Sequence, residues 1–144
     1  MPEIDKLRAF LDSNVIFSGL YSGGGAPGLV LQRAAEGRFM TVLSRQVLDE
    51  VVSTIAEKLP GVMHALHAFL ENIPLEVCPD LDHRSIEEWA GIVGEDDAPI
   101  AAAACAAEVD FLVSGDGHFL KARTASAEKG LRIVSPADIL RYIP

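Results

Sequence analysis

The stretch from Glu95 to Phe119 constrains the fold more than any other part of the chain. Three acids in a row, Glu95, Asp96 and Asp97, precede a nearly polar-free run from Ala98 to Ala107, and a short apolar run, Phe111 to Val113, then ends at Ser114, Gly115 and Asp116. The first run has the length of a helix that crosses one layer of an α/β domain, and the second has the length of a strand that brings the chain back. Asp116 therefore returns to the end of the domain where Asp97 began, so that two carboxylates nineteen residues apart share one rim. Helix capping accounts for the acids at the helix start without any function, because Asp96 or Asp97 can accept a first-turn amide, negative charge suits that end, and Pro99 is tolerated there. Capping does not explain the return of Asp116. A divalent cation does, because clustered carboxylates repel one another unless a cation or a proton compensates.

The 144 residues suit one domain with a sizeable core, and 49% hydrophobic content with few aromatics suits an alanine- and valine-rich α/β packing. Acids interrupt every apolar run before it reaches membrane-spanning length, and Glu3 and Asp5 break any signal-peptide pattern. The expectation is a cytoplasmic protein with no membrane association. A formal charge of −9 argues against a broad basic nucleic-acid surface and is compatible with a positively charged partner. It does not exclude a nuclease, since a divalent ion bridges acidic side chains to an acidic phosphate. Cys78 and Cys105 have neither zinc-site spacing nor a disulfide signature, and Cys105 reads as a packed thiol in the apolar helix.

Taken in order, Leu7 to Leu11 is a strand leading to Asp12, Ser13 and Asn14. A first strand ending there puts Asp12 at the carboxyl edge of a parallel sheet, where α/β folds bind ligands. The bland role of Asp12 is a turn or cap, and Asn14 either orients Asp12 or caps a turn. Ser22 to Pro27 is a glycine-rich connection, either a plain link or a mobile loop beside the site, and its spacing does not match a phosphate-binding loop. Gly28 to Glu36 is a helix and Phe39 to Leu43 a second strand. Ser44 then caps a helix in which Glu50 lies in the second turn, its side chain pointing back toward the helix start. Asp49 and Glu50 cannot both face the same rim, and apolar spacing does not decide between them.

Pro60 opens another helix with Leu66 and Phe69 on its buried face, and His64 and His67 on its surface. Leu75 to Cys78 is a third strand, Ile86 to Val93 a helix, and Leu131 to Val134 a fifth strand. Ser135 and Pro136 start a final helix with a cap and a first-turn proline. His118 is placed to touch substrate or metal, and Lys121 and Arg123 to contact phosphate, with plain surface solvation as the alternative for each. The expected architecture is a three-layer α/β/α domain with a short, five-stranded parallel sheet. Strand ends supply Asp12 and Asp116, and helix starts supply Glu50 and Asp97. Four carboxylates from separated segments suit one or two hard cations, Mg2+ or Mn2+.

The motifs Leu11 to Ile16, Ser44 with Glu50, Asp96 to Ala101 and Leu112 to Phe119, in that order, resemble the PIN-domain family over nearly the whole chain. The resemblance selects Glu50 over Asp49 and makes Asp12, Glu50, Asp97 and Asp116 the acidic centre, with Ser13, Asn14 and Ser114 as supporting polar residues. It implies a single nuclease domain over residues 1–144 with magnesium- or manganese-dependent ribonuclease activity. It is nearest to the branch described as toxins of prokaryotic toxin–antitoxin pairs, which implies an RNA substrate, a protein antitoxin and a homodimer. Many family members carry a further Asp two positions beyond the last motif Asp; His118 stands there in this chain, and the number of ions stays open. The implied reaction is hydrolysis of an RNA phosphodiester. Two alternatives share the residues: a catalytically weak RNA-binding or structural module, and a metal-dependent DNA nuclease or phosphatase.

Overall fold

The computed structural model describes residues 6–144, so Glu3 and Asp5 lie outside the described residues. Five short strands, β1 (Arg8–Leu11), β2 (Met40–Ser44), β3 (Leu75–Cys78), β4 (Phe111–Val113) and β5 (Ile133–Val134), form one parallel sheet in the order β3-β2-β1-β4-β5. Register follows from pairs such as Phe10 with Val42 on one side of β1 and Phe10 with Leu112 on the other. Strands buried on both faces read as continuous apolar runs. β4 does so, all three of its residues being buried, as are Ala9, Phe10 and Leu11 of β1.

Two helical layers cover the sheet. On one side lie α1 (Ser13–Ser22), α2 (Ala26–Ala35), α3 (Arg45–Lys58) and α4 (Met63–Asn72), joined by the short α9 (Pro136–Ile139), which packs on α2. On the other, α5 (His83–Val93) and α6 (Ala98–Ala106) pack on each other, with α8 (Arg123–Glu128) against α5. The brief α7 (Gly117–Lys121) links β4 to α8. Alanine lets α6 approach both neighbours closely, and Ala98 and Ile100 to Ala104 are all buried. Burying large side chains such as Phe10, Phe39 and Phe119 contributes roughly 1.5–3 kcal/mol each before chain entropy is counted.

The strand order reverses beside β1. After β3 the chain crosses back over the sheet through α5 and α6 to lay β4 on the free side of β1. The carboxyl ends of β1 and β4 therefore flank the switch point, the crevice where open α/β sheets bind ligands.

Several elements differ from the sequence expectation. The residues after Asp12 form the ten-residue α1, which runs to Ser22. The glycine-rich link is thus only Gly23 to Gly25, and roughly 15 Å of helix separates it from Asp12. It is not a loop beside the acids. α5 starts at His83, three residues earlier than expected, because the Asp82 carboxylate accepts the Ser85 amide at 3.0 Å and caps the helix. β5 covers only Ile133 and Val134 of the expected four residues, and α8 has no counterpart in the sequence expectation.

The α1–α2 corner depends on a missing side chain. A Cβ on Gly28 would lie 2.3 Å from the Gly23 carbonyl oxygen and 2.8 Å from its Cα, and Gly23 itself has φ 66°. Backbone cannot yield there as a flexible side chain can. We expect Gly28→Ala to lower unfolding stability by about 1–3 kcal/mol. Gly61→Ala, where a Cβ meets nothing within 4 Å, should change it by less than about 0.5 kcal/mol. Urea unfolding of both variants against the parent checks this.

Candidate metal centre

The centre is built on the ends of β1 and β4. The Asp12 amide donates to the Val113 carbonyl at 3.0 Å, so the last rung of the β1–β4 ladder sets the Asp12 backbone. Extended at φ −70° and ψ 154°, Asp12 is the N-cap of α1 and its Oδ1 accepts the Ser13 amide at 2.8 Å. Its Oδ2 accepts the Ser114 hydroxyl, also at 2.8 Å. Ser114 in turn accepts the Asp116 amide through the same oxygen at 3.0 Å, and its own amide donates to the Val134 carbonyl. One buried hydroxyl thus fixes both strand ends.

Asp116 caps α7, with Oδ1 accepting the His118 amide at 2.8 Å. Asp97 stands at the start of α6 in a helical backbone conformation and makes no side-chain cap bond, while the Ala98 amide is already taken by the Gly94 carbonyl. The capping explanation of Asp97 therefore does not hold in the folded chain. One carboxylate oxygen each from Asp97 and Asp116 and one imidazole nitrogen of His118 lie within 4.8 Å of one another.

Like charge and burial act together here. Asp12 is 4% exposed, and burial first of all, with added repulsion from Asp97 and Glu50, pushes its pKa up to about 6 against the opposing pull of its Ser114 and Ser13 hydrogen bonds. Burial also raises the half-buried Asp97, as do Asp116, Asp96 and Glu50, while His118 pulls the other way. Glu50 is exposed on the second turn of α3, and its charge reaches both Asp12 and Asp97. Its neighbour Asp49 sits 3.9 Å from Arg45 one helical turn back on the exposed face of α3.

Asp97, Asp116 and His118 form the candidate cation cluster, and Asp12 and Glu50, expected as ligands beside them, are not part of that cluster. The carboxylate oxygens of Asp12 are each engaged by one protein donor and retain acceptor capacity, and Asp97 accepts no hydrogen bond among the described residues. Asn14 does not orient Asp12 in this fold. Its Oδ1 accepts the Gly115 amide at 3.3 Å and so braces the loop after β4 from α1. Ser13 is buried and serves through its amide. Lys121 and Arg123 do not join the cluster. Lys121 is exposed at the end of α7, and Arg123 lies 3.9 Å from Asp138 beside a hollow at the β5 edge.

The model of the PIN domain family matches residues 8–118, which include all four acids and His118. The chain belongs to the PIN domain family. Among solved structures, this PIN domain is similar to VapBC2 from Rickettsia felis bound to a DNA fragment from their promoter, with TM-score 0.66, 18% identity, and 90% of this chain and 98% of that chain covered. It is also similar to PAE2754 from Pyrobaculum aerophilum, with TM-score 0.62, 12% identity and 95% of each chain covered. At such identities the likeness is one of fold. No curated protein sequence matches this PIN domain significantly.

The raised Asp12 pKa has a sign that can be measured. The folded state holds the proton up to about pH 6 and the unfolded chain only to about 3.8. Proton binding therefore contributes stability that is full below the unfolded pKa and is lost as pH rises through the folded one. In EDTA, stability should fall by about 2–3 kcal/mol between pH 4 and 7 from this group alone. Asp12→Asn should remove most of that slope in unfolding curves taken across the range.

Proposed function

We propose that this PIN domain, spanning residues 1–144, is a metal-dependent endoribonuclease that hydrolyses RNA phosphodiester bonds with Mg2+ or Mn2+, and that it is the toxin of a toxin–antitoxin pair acting in the cytoplasm. The observation that carries the reading is the convergence of Asp97, Asp116 and His118 within 4.8 Å, beside the buried Asp12, at the switch point of a PIN fold. Carboxylates held this close beside an imidazole, with no lysine or arginine in the cluster, suit a cation.

In this reading Asp12, Asp97 and Asp116 hold the ion, and Glu50 adds negative charge from α3. A bound divalent cation supplies Lewis-acid polarisation of the phosphate and a lowered pKa for the attacking water. Ser114 and the Ser13 amide fix the Asp12 carboxylate, so that no rotamer search precedes ion binding. Asp97, whose carboxylate accepts no hydrogen bond among the described residues, is suited to orient the water. His118, exposed at the mouth, donates either to the ion's surroundings or to substrate phosphate.

The site test separates charge from shape. Asp97→Asn and Asp116→Asn keep side-chain size, and Asn remains an acceptable cap for α7. Each should lower Mg2+- or Mn2+-dependent cleavage of RNA by about a hundredfold or more while unfolding curves stay within about 1 kcal/mol of the parent. Activity in both variants equal to the parent's would remove the assignment. Cleavage of DNA or a small phosphomonoester in preference to RNA would transfer the chemistry to another substrate class.

The toxin reading carries an assembly with it. The chain should be a homodimer, and its antitoxin should block the acidic rim by placing a basic side chain there, as the net charge of −9 favours. Sedimentation velocity should give a dimer for the chain alone and a larger, catalytically silent species with the protein encoded beside it. A monomer at all concentrations contradicts the dimer, and a complex that still cleaves contradicts the direct block.

A further inference from the structure

The basic residues of this acidic chain are unevenly placed. Four of its twelve Lys and Arg residues, Lys121, Arg123, Lys129 and Arg132, fall within twelve consecutive positions that contain a single acid, Glu128. Folding separates them. Lys129 turns toward α5, with Nζ 5.7 Å from the Trp89 ring centroid. Arg123 and Arg132 instead line an open hollow of about 540 Å³ between α8 and the outer edge of β5, with Thr124, Ala127, Ile133 and Val134 completing most of its wall. That volume suits a ligand the size of a nucleotide or two.

The hollow runs from Arg132, level with Phe111 at the amino end of β4, toward the acidic rim, to which it is linked by two routes. Val134 lines it, and the Val134 carbonyl accepts the amide of Ser114, the residue that holds Asp12. Along the chain, α7 leads from Asp116 through His118 to the exposed Lys121 in about 7 Å of helix, and Arg123 follows at once. This spans roughly two stacked nucleotides of a strand.

We infer that this hollow is the track for the RNA strand beside the scissile phosphate, with Arg123 and Arg132 binding backbone phosphates; the inference rests on the nuclease reading above and specifies where its substrate lies. Arg132 is set for that role. Its guanidinium carbon lies 4.6 Å from the Phe111 ring centroid and 6.0 Å from that of Tyr142, so aromatic packing fixes it while it stays exposed and without an ion pair among the described residues. Arg123 has only a loose, exposed partner in Asp138 at 3.9 Å, a contact of little energy that a phosphate can replace. Glu128 in the same wall restricts phosphate to the arginine side. The apolar floor of Ala127, Ile133 and Val134 accommodates a ribose or a base face, which a surface reading phosphate alone would not need. The −9 charge then has a local exception where a phosphate strand needs one.

The test is fluorescence anisotropy with a labelled twelve-nucleotide single-stranded RNA in EDTA, where neither turnover nor cation bridging contributes. Arg123→Gln with Arg132→Gln should weaken binding about tenfold and reduce the slope of log K against log salt by about 1.4, the value for two phosphate contacts on a single strand. Arg123→Lys with Arg132→Lys keeps the charge and should retain most of the slope. In parallel, 4-thiouridine crosslinking to the unaltered protein should label peptides within residues 123–134. An unaltered protein that cleaves RNA with Mg2+ but binds it equally well in the double Gln variant, or crosslinks only elsewhere, overturns the track and leaves the nuclease reading standing. An unaltered protein that neither cleaves nor binds RNA overturns both.

Discussion

The Ser114 hydroxyl ties together the two strand ends on which the candidate centre is built. It donates to Asp12 at 2.8 Å and accepts from the Asp116 amide at 3.0 Å, so a single oxygen joins the carboxyl ends of β1 and β4. Because Ser114 is fully buried, either bond lost would leave a polar group without water to replace it. The parallel ladder brings the two strand ends level, the serine locks them, and α6 returns Asp97 to the same rim. The switch in strand order beside β1 is what opens room above these groups.

The energetic character of the rim is opposed to that of the core. The core gains from burying Phe10, Leu112 and the alanines of α6, whereas the rim places Asp12, Asp97, Asp116 and Glu50 where each disfavours the ionised form of another. A site that is destabilising when empty is a common feature of functional constellations, and the surrounding sheet is what tolerates it. Seen this way, the basic hollow at the β5 edge complements the acids. The rim suits a cation, and the arginines suit the anion that a cation would help to cleave.

Much of this was legible in the sequence because it follows from short, rigid rules. β3 and β4 fall on the expected residues, since each apolar run is bounded by turn residues that stop it. The return of Asp116 to the level of Asp97 follows from helix and strand lengths alone. Other features depend on partners distant in sequence. That the charge of Glu50 reaches Asp12 and Asp97 depends on how α3 lies against β1 and α6, which periodicity does not see. Asn14 bonds Gly115 across the switch point, a contact that exists only once β1 and β4 pair. α1 is hidden in the sequence because Val15, Ile16 and Phe17 continue the apolar character of β1, and only the Asp12 cap marks where strand gives way to helix. The density of Lys and Arg between residues 121 and 132 was visible, but the sequence could not say that Arg132 would rest on Phe111 and Tyr142 while Lys129 turned away.

The central claim is that the carboxylates at the switch point hold a divalent cation. Anomalous diffraction from crystals equilibrated with manganese addresses it without relying on turnover. The account predicts a peak at the carboxyl ends of β1 and β4, within about 2.0–2.3 Å of oxygens from Asp97 and Asp116 and in contact with Asp12 directly or through water. Saturating manganese with no peak at that rim, in crystals where Asp12, Asp97 and Asp116 keep the arrangement described, would contradict it.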